Sequence, residues 1–146
     1  MRKLLIGLST LLVLLLSGCA TTSPTYKVVR GNYSKTQLKE ACDLNDAKAC
    51  TVLGVIYRDG EDVKFMYPIA AQGVKKDYSK AKKYFSKACG LNDGNGCYSL
   101  GYLYYTGEGV KKDYSKAKKY FSKSCDVNSA AGCEKYEKLK KEGHWF

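Results

Sequence analysis

The sequence is short of the residues on which most enzyme chemistry depends. One histidine, His144, stands in 146 residues, which excludes a His-rich zinc-hydrolase centre. Neither a Gly-rich phosphate loop nor a His-Asp-Ser set is present. Acidic residues number 14 against 25 basic ones, for a net charge of +11. The length suits one modest domain and excludes a multidomain enzyme. Apolar content is not lacking: 45% hydrophobic and 27% charged residues exclude a disordered chain. The longest apolar or small run, Leu4 to Leu16, is too short to cross a bilayer as a stable helix.

That run follows Arg2 and Lys3 and reads as an export signal rather than as part of the fold. It ends in Leu16, Ser17, Gly18 and Cys19, a string that resembles the lipobox of bacterial lipoproteins. The resemblance implies a lipoprotein signal peptide over 1–18 and lipidation of Cys19. An ordinary secretory signal, with Cys19 left as a free thiol, is the alternative; on either reading the chain leaves the cytoplasm. Cleavage there removes two basic residues and no acidic one, leaving 23 basic and 14 acidic residues and a net charge of +9. The polar, nonperiodic stretch Ala20 to Asn32 reads as a flexible tether, so that 19–32 links the membrane to a folded region over 33–146.

Seven cysteines are awkward for an exported protein, but assigning Cys19 to lipid leaves six, an even number in a disulfide-permissive compartment. They fall as Cys42 and Cys50, Cys89 and Cys97, Cys125 and Cys133, each pair with seven residues between. Fifteen connectivities are possible; the recurrent spacing favours the local one. This spacing does not match common zinc-ligand patterns, and no metal or other cofactor is expected.

The string GVKKDYSKAKKYFSK runs from Gly73 to Lys87 and again from Gly109 to Lys123. The cysteines of these two units are displaced by the same 36 residues, a period that marks a solenoid of paired helices. An earlier, more diverged unit carries Gly54, Tyr57, Gly60 and Glu61 where the next has Gly101, Tyr104, Gly107 and Glu108. Its step to the next unit is 47 residues, which places an insert of about eleven residues near 62–72, containing Phe65, Met66, Tyr67 and Pro68.

Ala81, Tyr84, Phe85 and Ala88 form the i, i+3, i+4, i+7 stripe of an amphipathic helix behind a cap at Asp77. Cys97, Leu100, Gly101 and Tyr104 form a second stripe, where the small Gly101 permits close helix approach. The pattern predicts helices near 33–43, 46–58, 78–90, 94–106, 114–126 and 129–142. Each cysteine pair then closes an antiparallel hairpin across the loops DLND, GLND and DVNS.

The segment LGYLYYTGEGVKKDYSKAKKYFSKSC, Leu100 to Cys125, resembles the Sel1-like repeat, a relative of the tetratricopeptide repeat. With the C-x7-C staples and the export signal, the resemblance narrows to the Helicobacter cysteine-rich protein family, whose members are named as β-lactamases or penicillin-binding proteins. It implies an all-α fold, a right-handed α/α solenoid of Sel1-like, TPR-related hairpins stapled by C-x7-C disulfides. It also implies β-lactam binding with weak hydrolysis as one possible activity. S-x-x-K occurs at Ser79 with Lys82 and at Ser115 with Lys118, but S-D-N and K-T-G are absent. These serines read as solvated helix surface, and no catalytic residue is assigned.

A binding module for a protein, peptide or cell-wall glycan partner is the leading reading. In solenoids of this type the first helix of each repeat, counted from the Leu-Gly segment, lines the concave face. Tyr98, Tyr102 and Tyr105 lie there at i, i+4 and i+7, and correspond to Thr51, Val55 and Arg58 in the first unit and to Glu134, Lys138 and Lys141 in the third. Inter-repeat packing of the tyrosines is the competing reading. Lysines 75, 76, 80, 82, 83 and 87, repeated at 111, 112, 116, 118, 119 and 123, make a basic outer surface. Export argues against nucleic acid as its partner. A lipid-anchored protein facing the periplasm or exterior is expected, with a secreted factor as the alternative.

Overall fold

A computed structural model describes residues 33–143. The signal peptide expected over 1–18, the lipidation expected at Cys19, the tether expected over 19–32 and His144 lie outside the described residues. Six α-helices follow one another: α1 Lys35–Asp43, α2 Ala47–Asp59, α3 Tyr78–Gly90, α4 Gly94–Thr106, α5 Tyr114–Asp126 and α6 Ala130–Lys141, with one 3-10 turn at Gly60–Val63 after α2. Among the described residues there is no strand, and no helix is long and apolar enough to cross a membrane.

Each helix starts where a side chain accepts from its otherwise unpaired first-turn amides. Ser34 and Gln37 form a reciprocal capping box at α1. The amides of Ala49, Lys80, Gly96 and Lys116 donate to Asp46, Asp77, Asp93 and Asp113 at 2.9–3.0 Å, and that of Gly132 to Ser129 at 3.4 Å. The loops DLND, GLND and DVNS divide their work: the last residue caps the next helix, while Asn45, Asn92 and Asn128 take left-handed backbone with φ of 68°, 62° and 64°, which asparagine tolerates best after glycine. That turn brings the two helix ends together. The bridges Cys42–Cys50, Cys89–Cys97 and Cys125–Cys133 then span Cα separations of 4.7, 4.4 and 4.4 Å.

Every helix packs on the next, and α2 also touches α4 and α4 touches α6, whereas no comparable contact joins α1 to α3 or α3 to α5. The row α2, α4, α6 is therefore the closer-packed inner side of the stack. The core recurs with the repeat. Phe85 and Phe121 are fully buried, and a Cβ on Gly54 would collide with the ring of Phe85, as one on Gly101 would with that of Phe121. Tyr57 stacks on Tyr84 at 5.6 Å, and Tyr104 on Tyr120 at 5.7 Å. Lys80 lies 5.3 Å over Tyr57, and Lys116 5.3 Å over Tyr104.

The insert adds its own packing. Val63, Ala70, Ala71 and Val74 are buried in the first core, while Phe65 remains 81% exposed, with Met66 and Ile69 also outside. Glu61 holds the loop's end by accepting from the Gly73 amide at 2.6 Å and pairing with Lys64 at 2.9 Å.

Candidate binding cleft

Between the end of α2 and the facing side of α4 lies a cleft of about 430 Å³ lined by Arg58, Asp59, Tyr98, Tyr102 and Glu108. Its size falls in the lower part of the range of roughly 300–1,000 Å³ seen for small-ligand sites. Arg58 sits in the last turn of α2, where a cation is favoured by the helix dipole. Its Nε and Nη2 donate to the two carboxylate oxygens of Asp59, each at 2.6 Å, and its guanidinium carbon lies 5.9 Å from the centre of the Phe85 ring. The hydrogen bond to Asp59 raises the Arg58 pKa above its ordinary value against the opposing effect of burial. The guanidinium is thus fixed, charged and already matched.

The opposite wall is aromatic. Tyr98 and Tyr102, one helical turn apart on α4, lie with ring centres 6.4 Å apart, and Tyr98 is braced by Phe121 at 5.5 Å. Neither hydroxyl has a hydrogen-bond partner among the described residues. At the rim, Glu108 stands between Gly107 and Gly109, whose φ of 80° and 66° form a turn that a side chain with a Cβ would strain. Glu108 is half-buried and has no ion pair among the described residues. The cleft therefore holds two carboxylates and one guanidinium, a local excess of one negative charge on a chain of +11.

The cleft gathers three of the six residues expected on the binding face: Arg58, Tyr98 and Tyr102. The other three serve packing between repeats. Val55 packs against both the first and second core clusters. Thr51 faces the space left by Gly96, and its Oγ1 is buried without a hydrogen-bond partner. Tyr105 turns to Tyr114 and Phe121, at 5.5 and 6.4 Å. Inter-repeat packing and an open surface thus divide the set between them. Asp59 and Glu108 were missing from it; the signal for Glu108 was its place between two turn glycines. Ser79 and Ser115 are both exposed at the second position of their helices, away from the cleft. Among the described residues no three His, Cys, Asp or Glu side chains gather as metal ligands.

The Sel1 repeat model matches residues 47–64, 70–93 and 94–129. The chain belongs to the Sel1 repeat family. The last matched stretch is one full period of 36 residues, and Phe65 to Ile69, inside the insert, fall between the first two. In this framing the Cys89–Cys97 bridge joins the end of one Sel1 repeat to the start of the next. Helicobacter pylori cysteine rich protein B is 43% identical, over 68% of this chain and 67% of that one, with a TM-score of 0.57. A Sel1 repeat protein from Oxalobacter formigenes is 30% identical over 70% of this chain, with a TM-score of 0.58; the match spans 37% of that longer protein. Curated proteins provide no match. The cysteine-rich Sel1 type is thereby shown, which is consistent with a protein-binding repeat module. Its three bridges suit an extracytoplasmic compartment.

Proposed function

We propose that this Sel1 protein is an envelope lipoprotein, exported by the signal over 1–18, anchored through Cys19 and held off the membrane by residues up to 32, and that its repeat domain over 33–146 binds a protein, peptide or cell-wall strand along the inner row. The observation that carries the reading is the cleft: aromatic rings, unpartnered hydroxyls and a fixed charge pair converge where the inner helices leave a gap. A concave site with a few polar groups held on rigid helices beside an aromatic wall is what a binding site uses.

Photocrosslinking tests it. A benzoylphenylalanine at Tyr98 or Tyr102 is expected to give discrete adducts in cells, and one at the exposed Lys119 on the outer row none. Equal adducts from all three positions would sink the proposal. Labelled fatty acid should enter the wild-type protein and not Cys19→Ser; incorporation in both would remove the anchor. Turnover of a chromogenic cephalosporin above buffer, lost on reduction and kept in Ser79→Ala with Ser115→Ala, would replace binding by an unconventional hydrolase.

A further inference from the structure

We infer that the cleft receives a single basic side chain, an arginine or lysine, from an extended peptide segment whose neighbouring residues are neutral or acidic. The inference rests on the binding-module reading above and names the chemistry of the partner.

Three observations converge on a cation. The first is the distribution of charge inside the cleft. Arg58 is held by both oxygens of Asp59, whereas Glu108 acts on Arg58 only through its field, without a salt bridge at contact distance among the described residues. The second is the wall opposite. Tyr98 and Tyr102 line the cleft with aromatic rings, and such rings attract a cation through their quadrupoles, most strongly where water is partly excluded. Their hydroxyls add acceptors for N–H groups.

The third is the contrast with the equivalent glutamate of the first unit. Glu61 occupies the same place after the same glycine, but it is consumed by the Gly73 amide and Lys64, which also hold its pKa below the usual carboxylate range. The turn glutamate therefore has a structural task in one unit, and no such ion pair in the other.

The surroundings limit the partner further. Helix α4 carries no charged side chain, whereas α3 and α5 carry four lysines each. A run of basic residues would be disfavoured by the net charge of +11, while one basic side chain entering the cleft meets Glu108 at its rim. Acidic neighbours in the same segment would gain from the lysines. The recognised pattern is thus one isolated cation in a neutral or acidic context.

The test compares two peptides, acetyl-Ala-Ala-Arg-Ala-Ala-amide and the same sequence with citrulline, which keeps the shape of arginine and removes its charge. Each is titrated into the oxidised protein and followed by amide and tyrosine-ring NMR. The arginine peptide should move the signals of Tyr98, Tyr102 and Glu108 and bind about fivefold to tenfold more tightly than citrulline. Glu108→Gln should bring the affinities of the two peptides together. Equal binding of the two peptides to the wild type would overturn the inference, and this comparison requires no variant to fold.

Panning a random heptapeptide library separates this failure from failure of the binding reading. Selected peptides should carry one basic residue and lose binding in Glu108→Gln. Binders without a basic residue that need Tyr98 and Tyr102 but not Glu108 would overturn the cation assignment and leave the binding module standing. No peptide binding, with chitotriose moving the same tyrosine signals, would overturn the peptide partner in favour of a glycan.

Discussion

The string GVKKDYSKAKKYFSK is folded twice, at Gly73 to Lys87 and at Gly109 to Lys123, in two neighbourhoods. In both copies an aspartate caps the helix, a lysine lies 5.3 Å over a tyrosine of the preceding inner helix, a tyrosine stacks on that same ring, and a phenylalanine is fully buried against a glycine. The copies diverge most where their partners do. Lys76 reaches Asp62 of the insert at 2.8 Å, whereas Lys112 lies 5.7 Å over Tyr114. Val74 is buried by the insert, while Val110 is half-buried. What a residue does in a solenoid is set by the neighbour it faces, and it repeats when that neighbour repeats.

Reduction should break the comparison most completely. Each bridge closes a ring of nine residues, worth about 2.5 kcal/mol in the chain-entropy account, so three contribute about 7.5 kcal/mol against a typical total of roughly 5–15 kcal/mol. Each bridge closes a helical hairpin, and Cys89–Cys97 also ties one Sel1 repeat to the next, so their loss weakens the packing on which both copies of the string depend. Circular dichroism with and without reductant should show a collapse of the thermal transition. A reduced protein that melts within a few degrees of the oxidised one would refute the staple's role.

A smaller effect is expected from Gly54→Ala and Gly101→Ala, which place a methyl against the same ring in the two settings. At Gly101 the new Cβ would lie 2.9 Å from Phe121 Cδ1 and 3.2 Å from the Ala117 carbonyl oxygen, and at Gly54 it would meet the Phe85 ring directly. Both rings are fully buried and have no room to turn aside. Each substitution should cost about 1–3 kcal/mol, measured by urea unfolding of the oxidised protein. Costs that differ by more than the range of one such substitution would show that the two ring pockets are not equivalent.

Much of this was legible because it is local or periodic. The helix boundaries follow from capping residues and stripes, and all three bridges follow from a spacing that the Asn turn converts into adjacent helix ends. The insert was legible only as a surplus of residues; without periodicity, nothing in 62–72 distinguished buried Val63 and Ala70 from exposed Phe65 and Ile69. The lining of the proposed cleft was half legible. Helical spacing places Tyr98, Tyr102 and Tyr105 together, but it is the next repeat, through Tyr114 and Phe121, that draws Tyr105 inward. Thr51 and Val55 are drawn in likewise by α3 and α4, and the aim of Glu108 depends on how one turn meets the end of a helix one repeat earlier.

The finest contrast between the two copies lies in their capping aspartates. Asp77 and Asp113 both have carboxyl pKa values held below the ordinary value. Since folding depresses these values, each aspartate stabilises the fold above the unfolded pKa of about 3.9, and that contribution is lost as the pH falls through the lower folded value. The leading causes differ. For Asp77 it is the hydrogen bond from the Lys80 ammonium, at 2.8 Å; for Asp113 it is the backbone amide of Lys116, whose ammonium stands farther off at 3.3 Å. An exposed ammonium is screened when the Debye length shrinks to about 3 Å in 1 M salt, but a backbone amide keeps its hydrogen bond. Carboxyl-carbon NMR titrations at low and high salt should therefore show the Asp77 pKa rising toward its unfolded value more than that of Asp113. Equal rises would mean that the two caps are electrostatically the same, and that the identical string carries its electrostatics with it regardless of its neighbours.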